Sequence, residues 1–94
     1  MTRIKYGILQ MSVQDHEHAP SILKALRKID EAYEYYKERV DDYNAPGSGL
    51  KVSNIYFLRE WYEASCKCIL HETMNKIDDM NIIYDIASYA GILI

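Results

Sequence analysis

Between Ile22 and Tyr43 the apolar residues fall at Ile22, Leu26, Ile29, Tyr33, Tyr36, Val40 and Tyr43. The steps alternate four and three without a slip. That spacing keeps one face of a helix apolar for about three heptads, and it excludes a strand, whose faces alternate at every residue. Directly after it stands Asn44-Ala45-Pro46-Gly47-Ser48-Gly49. A proline and two glycines this close together end a helix and turn the chain. A long helix followed by a tight turn offers its seam to whatever returns. The expected fold is therefore all-α and begins as an antiparallel helical hairpin.

The boundaries follow from this seam. Residues 1–19 read as an N-terminal arm and 20–94 as a single helical domain. Within the domain, 20–43 is the first long helix, opened by Pro20, whose missing N–H is tolerated in a first turn. Residues 44–50 are the turn, 51–78 the second long helix and 79–94 a third. Asp78-Asp79 suits a separate helix start, because acids favour a helix N-terminus. Met74, Ile77, Met80 and Ile83 also continue the phase of the second helix, so one long bent helix is the alternative. On the third helix Ile83, Ile86, Ala87, Ala90 and Leu93 share a face, with Asn81, Asp85 and Ser88 opposite. The apolar end, Ala90-Gly91-Ile92-Leu93-Ile94, is expected to be docked. In the arm Arg3–Ile8 alternates weakly, as a strand would. A short helix through Ile4, Ile8 and Met11, or coil, is favoured, because a lone strand finds no partner in a helical chain.

The second long helix carries two apolar stripes. Ile55, Leu58, Tyr62, Ser65 and Ile69 repeat the three–four spacing and are expected to face the first helix. Phe57, Trp61, Ala64 and Cys68 form a second stripe about a third of a turn away. That stripe needs another cover: the third helix, or a neighbouring chain. Arg59, Glu60, Glu63, Lys67 and His71 fill the remaining arc, with Glu63 and Lys67 set for an i, i+4 pair. Nine tyrosines against one Phe and one Trp point the same way. Tyrosine suits half-wet interfaces, and a 94-residue chain buries only a modest part of its surface alone. The expected architecture is a small bundle completed by oligomerisation. Tyr35, Leu23 and Tyr56 stand off the two seams and add to the interface reading.

Charge and composition exclude several classes. The net charge of −3 argues against a protein that coats nucleic acid. No apolar run is long enough to span a bilayer. The first residues lack the apolar stretch of a signal peptide, and two cysteines without such a signal suggest a reducing, cytoplasmic setting.

The chemical motifs are mostly incomplete. Asp15-His16-Glu17-His18 lies in a loop and lacks further ligands for zinc. Cys66 and Cys68 sit two apart on a helix, so their thiols diverge and read as small buried residues. His71-Glu72 opens a zinc-protease pattern that Asn75 breaks. Gly47-Ser48-Gly49 is too short for a phosphate loop. No catalytic group and no cofactor are expected.

The first long helix has its charges reversed against its dipole: Lys24, Arg27 and Lys28 lie at its start, Asp41 and Asp42 at its end. An antiparallel mate would match them. The basic end would also suit an anion, with Lys24, Arg27 and Lys28 as its partners and Tyr6 or Tyr35 as a stacking platform.

One resemblance is carried by carboxylates. Glu31-x2-Glu34 and Glu60-x2-Glu63 resemble the E-x2-E…E-x2-D pattern of the all-α, magnesium-dependent nucleoside triphosphate pyrophosphatases of the MazG type. The resemblance implies that Glu31, Glu34, Glu60 and Glu63 would hold Mg²⁺ against a triphosphate. Glu63 departs from the pattern, and the helical phase turns all four away from the seams. The function expected instead is that of a small non-enzymatic interaction protein, an inhibitor, adaptor or ligand-sequestering protein acting by stoichiometric binding. In architecture it resembles small helical-hairpin oligomers found among phage and viral counter-defence proteins. A purely structural assembly subunit is the remaining alternative.

Overall fold

The computed structural model describes residues 6–44, 47 and 53–92. The described residues are all-α, in four helices: α1 (Tyr6–Val13), α2 (Ala19–Asn44), α3 (Ser53–Met74) and α4 (Met80–Ala90). The molecule is elongated, with extents of 49 × 23 × 20 Å.

α2 and α3 pack along each other in opposite senses. Lys28 meets Glu72 near one end, and Tyr36 stacks on Tyr62 further along. The heptad seam of α2 behaves as its spacing requires at its start: Ile22, Leu26 and Ile29 are fully buried. Further on, Tyr33 and Tyr36 are only half-buried against the core.

α1 and α4 make the second layer. α4 packs on both α2 and α3, whereas α1 packs on α2 and α4. Ile82, Ile83, Ile86, Ala87, Tyr89 and Ala90 of α4 are buried, and so is Ile92 beyond it. Ile82 and Tyr89 widen the face expected for this helix. Leu93 lies outside the described residues, as does Ile94. Two hydroxyls pin α4 in place. Tyr62 Oη donates to the Ala90 carbonyl at 2.5 Å, and Tyr89 Oη donates to Asp30 Oδ1.

α3 and α4 are separate helices, and the break has local causes. The Thr73 hydroxyl donates to the Ile69 carbonyl, and the amides of Lys76 and Ile77 both return to the Thr73 carbonyl. This tightened turn ends α3 at Met74, four residues earlier than expected. Asp79 then caps α4, its carboxylate accepting the amides of Asn81 and Ile82. At the far end Gly91 takes the left-handed conformation (φ 76°). Its amide returns to Ser88, and that of Ile92 to Ala87. This double closure suits glycine, which has no Cβ to clash.

The arm contains α1, but its buried face differs from the expected one. Leu9 and Val13 are buried, while Ile8 and Met11 stand 63% and 72% exposed; Ile4 lies outside the described residues. Both sets have helical spacing, and docking against α2 and α4 selects Leu9 and Val13. The stripe of α3 expected to face α2 is also rotated. Tyr62 is buried, but Ile55, Leu58, Ser65 and Ile69 are only half-buried; Cys66, Leu70 and Thr73 are buried instead. α3 has two neighbours, so its buried arc is drawn toward α4.

Candidate functional site

One side of the α2–α3 layer is covered by α1 and α4; the other side is open. The two sides are distinguished around α2. Asp30, which receives Tyr89 of α4, lies about 140° around the helix from Tyr35, at 100° per residue. On the open side Tyr35 packs on Trp61 of α3, with ring centroids 4.9 Å apart. The Arg39 guanidinium lies over the Tyr35 ring, 4.6 Å from its centroid. Tyr35, Tyr43, Phe57, Leu58 and Trp61 line a cleft of about 340 Å³. Phe57 is 68% exposed, Tyr35 44% and Trp61 42%.

The electrostatics around the aromatic cleft are mixed. Arg39 pairs with Asp42 at 3.7 Å. Hydrogen bonding to Tyr35 is the first cause holding the Arg39 pKa above its ordinary value, and its charge interactions with Tyr35, Asp42 and Glu38 act in the same direction. The guanidinium therefore stays a fixed positive charge beside the rings.

The same open side continues toward the start of α2. There Ser21, Lys24, Ala25 and Lys28 of α2 face Ile69, Glu72 and Thr73 of α3 and Lys76 just beyond it, around a small cleft of about 30 Å³. Lys28 Nζ contacts Glu72 Oε2 at 3.3 Å. Between the aromatic and lysine ends α3 exposes Ala64 and Cys68. The open side thus carries the whole expected second stripe: Phe57, Trp61, Ala64 and Cys68. The expectation that α4 would cover this stripe is corrected, because α4 lies on the opposite side and is drawn there by Tyr62, Cys66 and Leu70. Cys68 is likewise exposed, not buried; Cys66 is buried, and neither forms a disulfide.

The proposed anion partners are only partly brought together. Lys24 and Lys28 share a cleft, to which the structure adds Lys76; Arg27 is exposed and does not line it. Neither tyrosine joins them. Tyr6 packs edge-on against Tyr89 at 6.0 Å, on the α4 side, and Tyr35 belongs to the aromatic end. A register counted outward from the 44–50 turn sets Leu70, not Lys76, across from Lys24, so this third lysine has no signal in the sequence.

The carboxylates implied by the pyrophosphatase resemblance do not assemble. Glu31, Glu34 and Glu60 are exposed. Glu63 accepts from Arg59 at 3.3 Å, replacing the expected pair with Lys67. Among the described residues no three His, Cys, Asp or Glu side chains gather into a metal-binding set. His16 and His18 are used locally: the His18 amide donates to His16 Nδ1 at 3.0 Å, and His16 Nε2 lies 3.6 Å from the Asp79 carboxylate.

A third cleft, of about 280 Å³, opens on the α4 side beyond the end of that helix, between Tyr33, Tyr36, Arg59, Tyr62, Glu63, Ala90 and Gly91. Its tyrosines already pack on one another: Tyr62 lies 5.4 Å from Tyr36 and 6.0 Å from Tyr33. No described helix is long and apolar enough to cross a membrane. Set beside known proteins, the chain matches no family profile, no curated protein and no solved structure.

Proposed function

We propose that this chain is a small interaction protein that binds its partner stoichiometrically through the open side of the α2–α3 layer. The observation that carries the reading is the aromatic end of that side: Tyr35, Phe57 and Trp61 stand between two-fifths and two-thirds exposed on one face. Large rings gain most of their free energy when removed from water. Three of them grouped on rigid helices, flanked by an arginine, have the composition of a binding hot spot. Stoichiometric binding requires only such a surface, which the two long helices hold in a fixed arrangement. The anion-binding and assembly-subunit readings both use parts of the same side, so its occupant separates them.

The test is native mass spectrometry of the full chain, purified gently, beside a Phe57→Ser/Trp61→Ser variant. The reading expects bound mass on the parent chain, lost in the variant while its helical circular dichroism is kept. A parent chain carrying no partner of any kind would refute it.

A further inference from the structure

The occupant of the open side can be named from its layout. We infer that it is a second copy of this chain, laid end over end across the open side. The Tyr35, Phe57 and Trp61 end of each copy then covers the Lys24, Lys28 and Lys76 end of the other. This rests on the reading of the open side as a binding surface and specifies what binds there.

Three observations lead to a second copy in this orientation. The first is layering. α1 and α4 cover one side of the α2–α3 layer only, and from 33 to 43 and from 55 to 61 no residue is buried. A two-helix layer laid face to face on its own copy completes the other side as a four-helix bundle.

The second is area. The three rings together leave on the order of 300 Å² of largely apolar surface in water, at roughly half of the 150–250 Å² an aromatic side chain can bury. A standard interface takes about 800 Å² from each partner. The side runs along a molecule 49 Å long, and the lysine stems, Ala64 and Cys68 supply the remainder.

The third is charge and shape. Two symmetric arrangements bring this side against itself. A two-fold axis along the helices stacks Lys24, Lys28 and Lys76 on their own copies, which like charges oppose. An axis across the helices instead brings the lysine end, which holds Glu72, onto the ring end, which holds Arg39, and sets Lys76 toward the Phe57 ring, where a cation is attracted to an aromatic face. That second arrangement places the crossing point of the α3 helices at Ala64 and Cys68. Small residues there let two helices approach to the usual 8–10 Å.

The experiment is sedimentation equilibrium of the full chain over a concentration series. Trp61 fluorescence is read in parallel, since it is the only tryptophan. The expected result is a mass of twice the 11.0 kDa chain, with Trp61 emission moving to the blue as the dimer forms. A short bismaleimide should link two copies through Cys68, and Cys68→Ser should abolish the link, because Cys66 is buried. Ala64→Arg places bulk and charge at the crossing of an exposed position, so the monomer should keep its melting temperature. Its dimer should weaken at least about tenfold.

A monomer throughout the series overturns the second copy. So does a dimer that survives Ala64→Arg and is not linked through Cys68. If native mass spectrometry instead finds a different molecule on Phe57 and Trp61, the second copy fails and the interaction reading stands. If it finds the bare chain alone, both fail.

Discussion

The two halves of the α2–α3 layer both carry apolar seams and have different fates. From Ala19 to Ala32 on α2 and from Tyr62 to Thr73 on α3, the inward side chains are buried beneath α1 and α4. From 33 to 43 and from 55 to 61 no residue is buried, although these stretches hold Tyr33, Tyr35, Tyr36, Tyr43, Ile55, Tyr56, Phe57, Leu58 and Trp61. The distal half is the more aromatic, yet it is the exposed one. Hydrophobicity alone does not bury a residue; a second layer does. The seam repeats through both halves, but α4 ends at Ala90, level with Tyr62.

That contrast can be broken most forcefully in the core. Leu26→Ala should cost roughly 2–5 kcal/mol in chemical denaturation, because Leu26 is fully buried. Phe57→Ala, measured in dilute monomer, should stay within about 0.5 kcal/mol, as exposed positions do. Comparable losses at the two sites would mean that the distal half is buried in solution even at low concentration. The next largest effects should come from the ends and anchors of α4. Asp79→Ala should cost about 1 kcal/mol by removing the cap on the Asn81 and Ile82 amides. Tyr62→Phe should cost about 0.5–1.5 kcal/mol by leaving the Ala90 carbonyl without its hydroxyl donor. Thermal melting of each variant beside the parent reads both. The smallest effect should be Lys28→Ala, within about 0.5 kcal/mol, because its pair with Glu72 is exposed and screened by water. A larger loss there would show that the lysine end is not open in solution.

Some of this was legible in the sequence, and for identifiable reasons. α2 was read almost to the residue, since one face of it meets the core and a single seam describes it. The start of α4 was legible in Asp78-Asp79, whose chemistry acts within one turn; its stop at Ala90 was not, because an apolar sequence up to residue 94 hides the left-handed Gly91. The buried arc of α3 was not, because it meets two neighbours and the arc lies between the stripe expected to face α2 and the position of α4. Spacing alone favours Ser65 and Ile69 over Leu70 and Thr73, whereas Cys66, expected to be buried, is buried. In α1 the choice between Ile8 with Met11 and Leu9 with Val13 is settled by docking, and two turns of helix hold too few residues to show it. The candidate site divides in the same way. Phe57, Trp61, Ala64 and Cys68 were legible as one stripe of one helix. The lysine cleft needs Lys76 from across the layer, and a helical wheel of α2 cannot supply a residue from beyond α3.

The distal hairpin also has a mechanical consequence. Ala32 is the last buried residue of α2, and Asn44 ends the helix. Twelve residues at a helical rise of 1.5 Å make a beam of about 18 Å, clamped at one end only. A tilt of about 5° where the beam leaves its clamp carries its tip sideways by about 1.6 Å, nearly half the width of an aromatic ring contact. Whatever grips the beam's free end therefore works on the α4 anchors Tyr62 and Tyr89 with a lever arm of about 18 Å.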